Sequence, residues 1–257
     1  MKDHETVDVF GIPVARLDLA GVLARVEQSI RSPSQPRLRL AYVNAHACNL
    51  FIQDAGYRQA LRQANLIYLD GNGPRLAAWL AGDRLPRRMT GADWIHDLCA
   101  LAEREGFRLY FLGSHHGVAE QASVRLRRKY PELRIVGWRD GFFLPEDEAG
   151  LLDELRRLRP DILLLAMSSP KQETWMARAA PMLDVPVIWA AGGVLEYASG
   201  RLRRAPRWMR RLGLEWLGRW WIEPRRLTGR YLVGIPIFLV HAASHAFARR
   251  LRRRSPA

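Results

Sequence analysis

The chain has 257 residues, 48% of them hydrophobic and 26% charged, with two cysteines, so it can bury a sizeable core and is neither disordered nor disulfide-framed. Its formal net charge of +14 is unevenly spread: from Arg201 onward 15 arginines face two carboxylates, whereas the first 200 residues are nearly neutral. A basic tail on a neutral body implies an anionic partner for the tail.

The opening Met1–Glu5 has no basic stretch followed by an apolar core, so no signal peptide is expected. Strands are predicted at Leu38–Val43, Leu66–Leu69, Arg108–Leu112, Arg134–Gly137, Ile162–Ala166 and Val187–Ala190. Helical spacing marks Trp94–Glu105, Val118–Tyr130, Asp147–Leu158 and Glu173–Met182 between them. Alternation of this kind predicts an α/β fold, a Rossmann-like parallel sheet with helices on both faces. The run Ile162-Leu163-Leu164-Leu165-Ala166 is apolar throughout, as a strand covered on both sides must be.

Polar motifs follow several of these strands, where ligands bind in open parallel sheets. Asn44, after the first, can hydrogen-bond a sugar or nucleotide or cap the next helix. His46 beside it can act as an acid or base, although a lone histidine is more often structural. In Leu69-Asp70-Gly71-Asn72-Gly73-Pro74 the carboxylate of Asp70 can act as a general base or only shape the turn. In Phe111-Leu112-Gly113-Ser114-His115-His116-Gly117 the small residues around Gly113 can admit a diphosphate, although neither a Walker loop nor G-x-G-x-x-G is present. Ser168-Ser169-Pro170-Lys171-Gln172-Glu173 can hold a sugar or phosphate through Lys171, Gln172 and Glu173, open a helix with Ser169 as its cap, or do both. Cys48 and Cys99 match no metal spacing and there is no Asp-x-Asp, so no metal and no cofactor is expected. Arginines would then answer the charge of a departing diphosphate.

Composition changes near Gly200, which divides the chain into a catalytic domain (1–200) and a basic, Trp-rich, membrane-associating helical appendage (201–257). If Pro206–Ile222 is one helix, Trp208, Leu212, Trp216 and Trp220 form a stripe, Trp221 falls off it, and Glu215 pairs with Arg219 at i,i+4. Such a stripe either packs on the body or lies at a membrane interface. The longest apolar run, Tyr231–Ala243, is interrupted by Pro236 and His241 and falls short of the roughly 18 to 20 residues that span a bilayer, so no transmembrane segment is expected.

Together these pieces resemble the WecG/TagA/CpsF group, glycosyltransferase family 26, in order from about Val7 to Tyr231. The resemblance rests on Asp70-Gly71, on Arg88-Met89-Thr90-Gly91-Ala92-Asp93 and on Pro170-Lys171-Gln172-Glu173. It continues through Gly200 to Arg204-Ala205-Pro206-Arg207-Trp208, then Glu215-Trp216, Pro224-Arg225-Arg226 and Arg230-Tyr231. It implies an inverting, metal-independent transferase that moves a sugar from a UDP-sugar to a polyprenyl-diphosphate-linked acceptor, peripheral on the inner face of the cytoplasmic membrane. It implies Asp70 as catalytic base, Asn44, Arg88 and Gln172 as active-site polar groups, and Arg219, Arg226 and Arg230 in a tail folded over the diphosphate. Ala166-Met167-Ser168-Ser169 stand where the family often has glycines. Glu196 stands where Asp is common, near the uridine site, which leaves N-acetylmannosamine, its uronic acid and glucose all open as the sugar. Expected partners are thus the UDP-sugar, the lipid-linked acceptor and an anionic inner-leaflet surface, with homo-oligomerisation left open. A nucleic-acid binder using the Arg/Trp tail is the main rival, disfavoured by the strand-end motifs, so no nucleic-acid partner is expected. A non-catalytic membrane-surface protein is the other, and Asp70 argues against it.

Overall fold

A computed structural model describes residues 4–254 except 33, 35, 212 and 213, and excludes the side chains of 207, 211 and 251–254. The chain opens with an antiparallel hairpin, β1 (Thr6–Val9) and β2 (Ile12–Ala15). Its two-residue turn places Phe10 and Gly11 at φ 58° and 86°, the geometry that matches strand twist in tight hairpins. The sequence reading missed this hairpin because its strands are four residues long and Phe10 stands where Asn or Asp usually announces the turn.

After α1 (Leu19–Arg31) come β3 (Leu38–Val43), α2 (Ala45–Gln53), α3 (Ala55–Arg62), β4 (Leu66–Leu69), α4 (Gly73–Leu80) and α5 (Gly91–Glu105). Then follow β5 (Arg108–Gly113), α6 (Val118–Lys129), β6 (Arg134–Arg139), α7 (Glu148–Leu158), β7 (Ile162–Ala166), α8 (Lys171–Ala179), β8 (Val187–Ala190) and α9 (Val194–Ala198). Asp18, Asn44 and Asp54 each accept a backbone N–H at the starts of α1, α2 and α3. The six long-range strands form one parallel sheet in the order β4-β3-β8-β7-β5-β6, the α/β architecture expected, with strands where the apolar runs placed them. Two apolar cores lie against the sheet. One gathers the hairpin with α2, α3, α4, α7 and α8, the other α1, α5, α6 and α9. Strands β4, β7 and β8 are buried at every position, which is why they read as continuous apolar runs.

The tail continues as α10 (Arg207–Arg211), α11 (Glu215–Ile222), α12 (Pro224–Thr228), a π-helical turn (Gly229–Val233) and α13 (Gly234–Arg254). The single helix expected over Pro206–Ile222 is instead two short helices, with Leu214 outside both; Leu212 lies outside the described residues. The expectation that no stretch reaches membrane length is also overturned. Pro224–Arg250 is long and apolar enough to cross by length and composition, with mean hydropathy 1.5 and 17% of its most apolar part buried. Pro236 does not break it: a proline ring crowds the carbonyl four residues earlier, here Leu232, and the widened π turn at that place relieves the clash.

Helix α13 lies back across α2 and α4. Phe238 is 2% exposed and Ala242 fully buried, both inside the first core, and Phe10 meets the Phe238 ring edge-on at 5.8 Å. Asn49 Nδ2 donates to the Gly234 carbonyl at 2.7 Å, and Arg249 pairs with Asp83 at the far end. Phe238→Ala should therefore cost about 3–5 kcal/mol, read as a lowered urea midpoint. An unchanged midpoint would mean that the helix does not rest on the body.

Candidate active site

A cleft opens over the carboxyl ends of four adjacent strands, β4, β3, β8 and β7. Each strand contributes the residues just beyond its end: Asp70 after β4, Asn44 and His46 after β3, Ala191 and Gly193 after β8, Ser168 and Ser169 after β7. Thr90, Gly91 and Ala92 close it at the start of α5, with Tyr197 of α9 beside them. The fourth wall comes from the tail: Arg219 of α11, Arg226 of α12 and Arg230 of the π turn.

Asp70 is held by its backbone, whose N–H donates to the Val43 carbonyl at 2.9 Å and so extends the β3–β4 ladder by one residue. Burial and the nearby Glu215 carboxylate push its pKa up to about 6, against the pull of Arg219, Arg230 and Arg88. A carboxylate with that value is ionised at neutral pH and basic enough to take a proton from a hydroxyl. His46 is driven the other way, to about 4, by burial and by Arg230, so its imidazole is neutral at pH 7. Asn44 caps α2, its Oδ1 accepting from Ala47 at 3.0 Å, and also borders the cleft.

The arginine wall is poised for an anion. Arg219 lies over the Tyr197 ring at 5.6 Å, and its guanidinium approaches Gly193 so closely that a side chain there would meet it at 3.0 Å. The buried Nε atoms of Arg219 and Arg230 have no hydrogen-bond partner among the described residues. Unpartnered buried N–H groups are costly, and an oxygen-rich anion in the cleft would satisfy them.

Arg88 borders this wall without lining the cleft. Met89 N–H donates to Leu69 O at 2.9 Å, which fixes the Arg88 segment to the end of β4. Its guanidinium donates to Glu215 Oε2 at 3.1 Å and to the Arg210 carbonyl at 2.9 Å. Glu215 thus reaches Arg88 and Arg204 rather than the expected Arg219, which faces Glu223 at 3.7 Å.

Four other sequence candidates, Gln172, Lys171, Gly113 and Glu196, stand apart from the cleft lining. Gln172 is fully buried: its Oε1 accepts from Gly192 N–H at 2.9 Å and its Nε2 donates to Glu173 Oε1 at 2.9 Å. Both ends of the amide are engaged by protein, so Gln172 shapes the loop after β8. Ser169 does not cap α8 through its side chain; its Oγ donates to Glu173 at 2.7 Å. Lys171 turns to the Gly141 carbonyl at 2.7 Å, near the Phe142 and Phe143 rings. Gly113 ends β5 at φ 139°, where any side chain would strike the Ala166 backbone at 2.4 Å, so it serves strand contact. Glu196 pairs with Arg201 at 3.3 Å. Conversely, Tyr42, Ser168 and Tyr197 line the cleft although the sequence reading assigned them no role, and Ser169, expected as a helix cap, lines it as well. Tyr197, which falls between Glu196 and the arginine-rich tail, carries no spacing signal of its own. The paired histidines also divide: His115 stacks on Phe142, while His116 pairs with Asp140 at 3.3 Å.

The profile described as glycosyl transferase WecG/TagA/CpsF family matches residues 7–254. The chain is 29% identical over 187 residues to the N-acetylglucosaminyldiphosphoundecaprenol N-acetyl-beta-D-mannosaminyltransferase of Bacillus subtilis strain 168, covering 73% of this chain and 72% of that protein. It is 27% identical over 237 residues to the protein of the same name from Staphylococcus aureus strain NCTC 8325, covering 92% of each.

Proposed function

Since the chain belongs to the WecG/TagA/CpsF family of glycosyltransferases, we propose that it transfers a sugar from a UDP-sugar to a polyprenyl-diphosphate-linked acceptor with inversion at the anomeric carbon. The observation that carries this reading is one carboxylate, Asp70, at a strand end facing a wall of three arginines. The acceptor hydroxyl attacks the anomeric carbon as Asp70 takes its proton. The bond to the diphosphate breaks, its electron pair stays with UDP, and Arg219, Arg226 and Arg230 answer the growing charge. The names of the two relatives make N-acetylmannosamine the first donor sugar to test and N-acetylglucosamine on undecaprenyl diphosphate the first acceptor. Metal-independent transfer is part of the proposal. Among the described residues no three His, Cys, Asp or Glu side chains come together, and the arginines supply the cationic charge.

The test is a radiolabel transfer screen that offers UDP-N-acetylmannosamine, its uronic acid and UDP-glucose with the undecaprenyl-linked acceptor, with and without EDTA. Transfer of one sugar in EDTA is the expected result. No transfer from any donor rejects the reading, and activity that returns only with Mg²⁺ or Mn²⁺ rejects metal independence.

We also propose that the protein sits on the inner face of the cytoplasmic membrane through its tail. Trp221 is 82% exposed, and Val240 and Phe247 on α13 and Trp79 on α4 each about two-thirds exposed, an apolar area that water alone does not favour. The tail's arginines each add about 1 kcal/mol near anionic lipid. Because α13 rests on α2 and α4 by Phe238 and Ala242, it is read as lying on the bilayer rather than crossing it. Replacing Trp221, Val240 and Phe247 together by serine should lower co-sedimentation with phosphatidylglycerol vesicles at least tenfold. Undiminished binding would place the contact elsewhere.

A further inference from the structure

The tail brings three cations to Asp70's cleft, and it also brings two carboxylates: Glu223, which pairs with Arg219 and Arg226, and Glu215. Glu215, at the first position of α11, divides its two oxygens: Oε1 accepts from Arg204 Nε at 2.7 Å and Oε2 from Arg88 at 3.1 Å. Arg204 reaches on to Asp93 of α5 at 3.0 Å, and Arg210 approaches the same Asp93 oxygen at 3.5 Å. Arg88 and Asp93 belong to the body, Arg204, Arg210 and Glu215 to the tail, so each side presents both signs to the other. The Glu215 and Arg204 side chains are 14% and 19% exposed, which keeps the clasp largely out of solvent.

We propose that Glu215 is a positioning residue for the reaction: by clasping Arg88 and Arg204 it seats the tail over the cleft and sets a carboxylate among the arginines that face Asp70. The inference rests on the reading of Asp70 as the base. An arginine-lined site creates a conflict, because guanidinium groups that stabilise a diphosphate also stabilise an ionised aspartate and so weaken it as a base. The groups around Asp70 are Tyr42 of β3, Tyr68 of β4, His46 of α2, Arg88 ahead of α5, Glu215 and Arg219 of α11, Arg226 of α12 and Arg230 of the π turn, with Glu223, between α11 and α12, paired to Arg219 and Arg226. Burial raises both tyrosines and lowers His46, so these three are neutral through the weakly acidic range. What remains around Asp70 is four arginines and two carboxylates: Glu215 is bonded to Arg88, and Glu223 pairs with Arg219 and Arg226. Burial and Glu215 are the two largest influences raising Asp70, and Arg88 is among those lowering it. Removing the Glu215 charge therefore acts twice in one direction: the nearby anion is lost and Arg88 is released from its partner.

The experiment is the pH dependence of kcat/KM for sugar transfer, from pH 4.5 to 8, in the full-length wild type, in Glu215→Gln and in Glu146→Gln, an exposed remote site with the same change in net charge. The expected result is an acidic limb near pH 6 in the wild type and in Glu146→Gln. In Glu215→Gln the limb moves to lower pH by roughly one pH unit. A lowered plateau with the limb in place is what a purely structural role would give, and it overturns the proposal, as does an equal displacement in Glu146→Gln. If Glu215→Gln is not recovered folded, ¹³C titration of the Asp70 carboxyl in Glu215→Ala and in the wild type decides: a lower midpoint in Glu215→Ala supports the proposal and an equal one overturns it. Asp70→Asn separates the two layers. If that variant keeps its turnover, the reading of the base fails, whereas if it is inactive and the Glu215→Gln limb stays in place, only the role of Glu215 fails.

Discussion

Asp70→Asn lowers the turnover of sugar transfer by roughly 10²–10⁴-fold, the usual contribution of a general base, while the affinity for UDP changes little. The amide keeps the shape of the carboxylate at the end of β4, and the backbone N–H of residue 70 still donates to Val43, so the strand end is preserved. What is lost is a group held at about 6 by burial and by Glu215, ionised at pH 7 and able to accept the acceptor's proton. In the wild type, kcat/KM falls as the pH drops through that value, because the protonated carboxyl is no longer a base. In Asp70→Asn the acidic limb disappears along with most of the rate. Turnover within a factor of a few of the wild type would remove Asp70 from the mechanism.

The second large effect is expected at Arg219. Its guanidinium lies over Tyr197, abuts Gly193, and holds a buried Nε without a hydrogen-bond partner among the described residues. Arg219→Ala should lower kcat by roughly 10²–10³-fold, the loss that follows removal of one preorganised donor to developing negative charge. Arg219→Lys should recover only part of it, since an ammonium keeps the charge but not the planar fork. A diphosphate carries its largest charge as the glycosidic bond breaks, so the loss belongs in kcat more than in KM. Single-turnover measurements with UDP-N-acetylmannosamine can separate the two. A rise in KM with kcat intact would make Arg219 a binding group for the ground state alone.

The strand ends were legible because a buried parallel sheet spells itself out in apolar runs, and the polar residue after each run marks the cleft. Asp70 and Asn44 both emerged in that way. The geometry of the tail was not legible, for two reasons. Local spacing suggested a pair between Glu215 and Arg219, whereas the structure gives Glu215 to Arg88, which is 127 residues away, and to Arg204. Helical periodicity joined Pro206 to Ile222 across a stretch where Leu214 leaves the helix. Gln172 shows a third limit. Its motif can be read from the sequence, but the direction of its amide depends on Gly192 and Glu173, and the second of these is a buried acid that no periodicity would single out. Pro236 misled the reading of α13 because a helix break is the usual outcome, and the π turn that prevents it leaves no residue signature.

The seat of α13 across α2 and α4 sets an order of events during synthesis. Every strand of the sheet is translated before residue 191, whereas the helix that carries Phe238 into the first core is translated some forty residues later. Domains form progressively from the N-terminal side as the polypeptide emerges. The nascent body therefore exists for a time with the surface around Asn49 and Phe10 uncovered and with no arginine wall beside Asp70. Because α11 and α12 are translated before α13, the arginines proposed to act on the donor emerge ahead of the helix that secures them. On the proposed mechanism the growing chain acquires Asp70 early and its electrostatic complement late, so a ribosome-bound intermediate would hold a folded sheet and still be chemically silent.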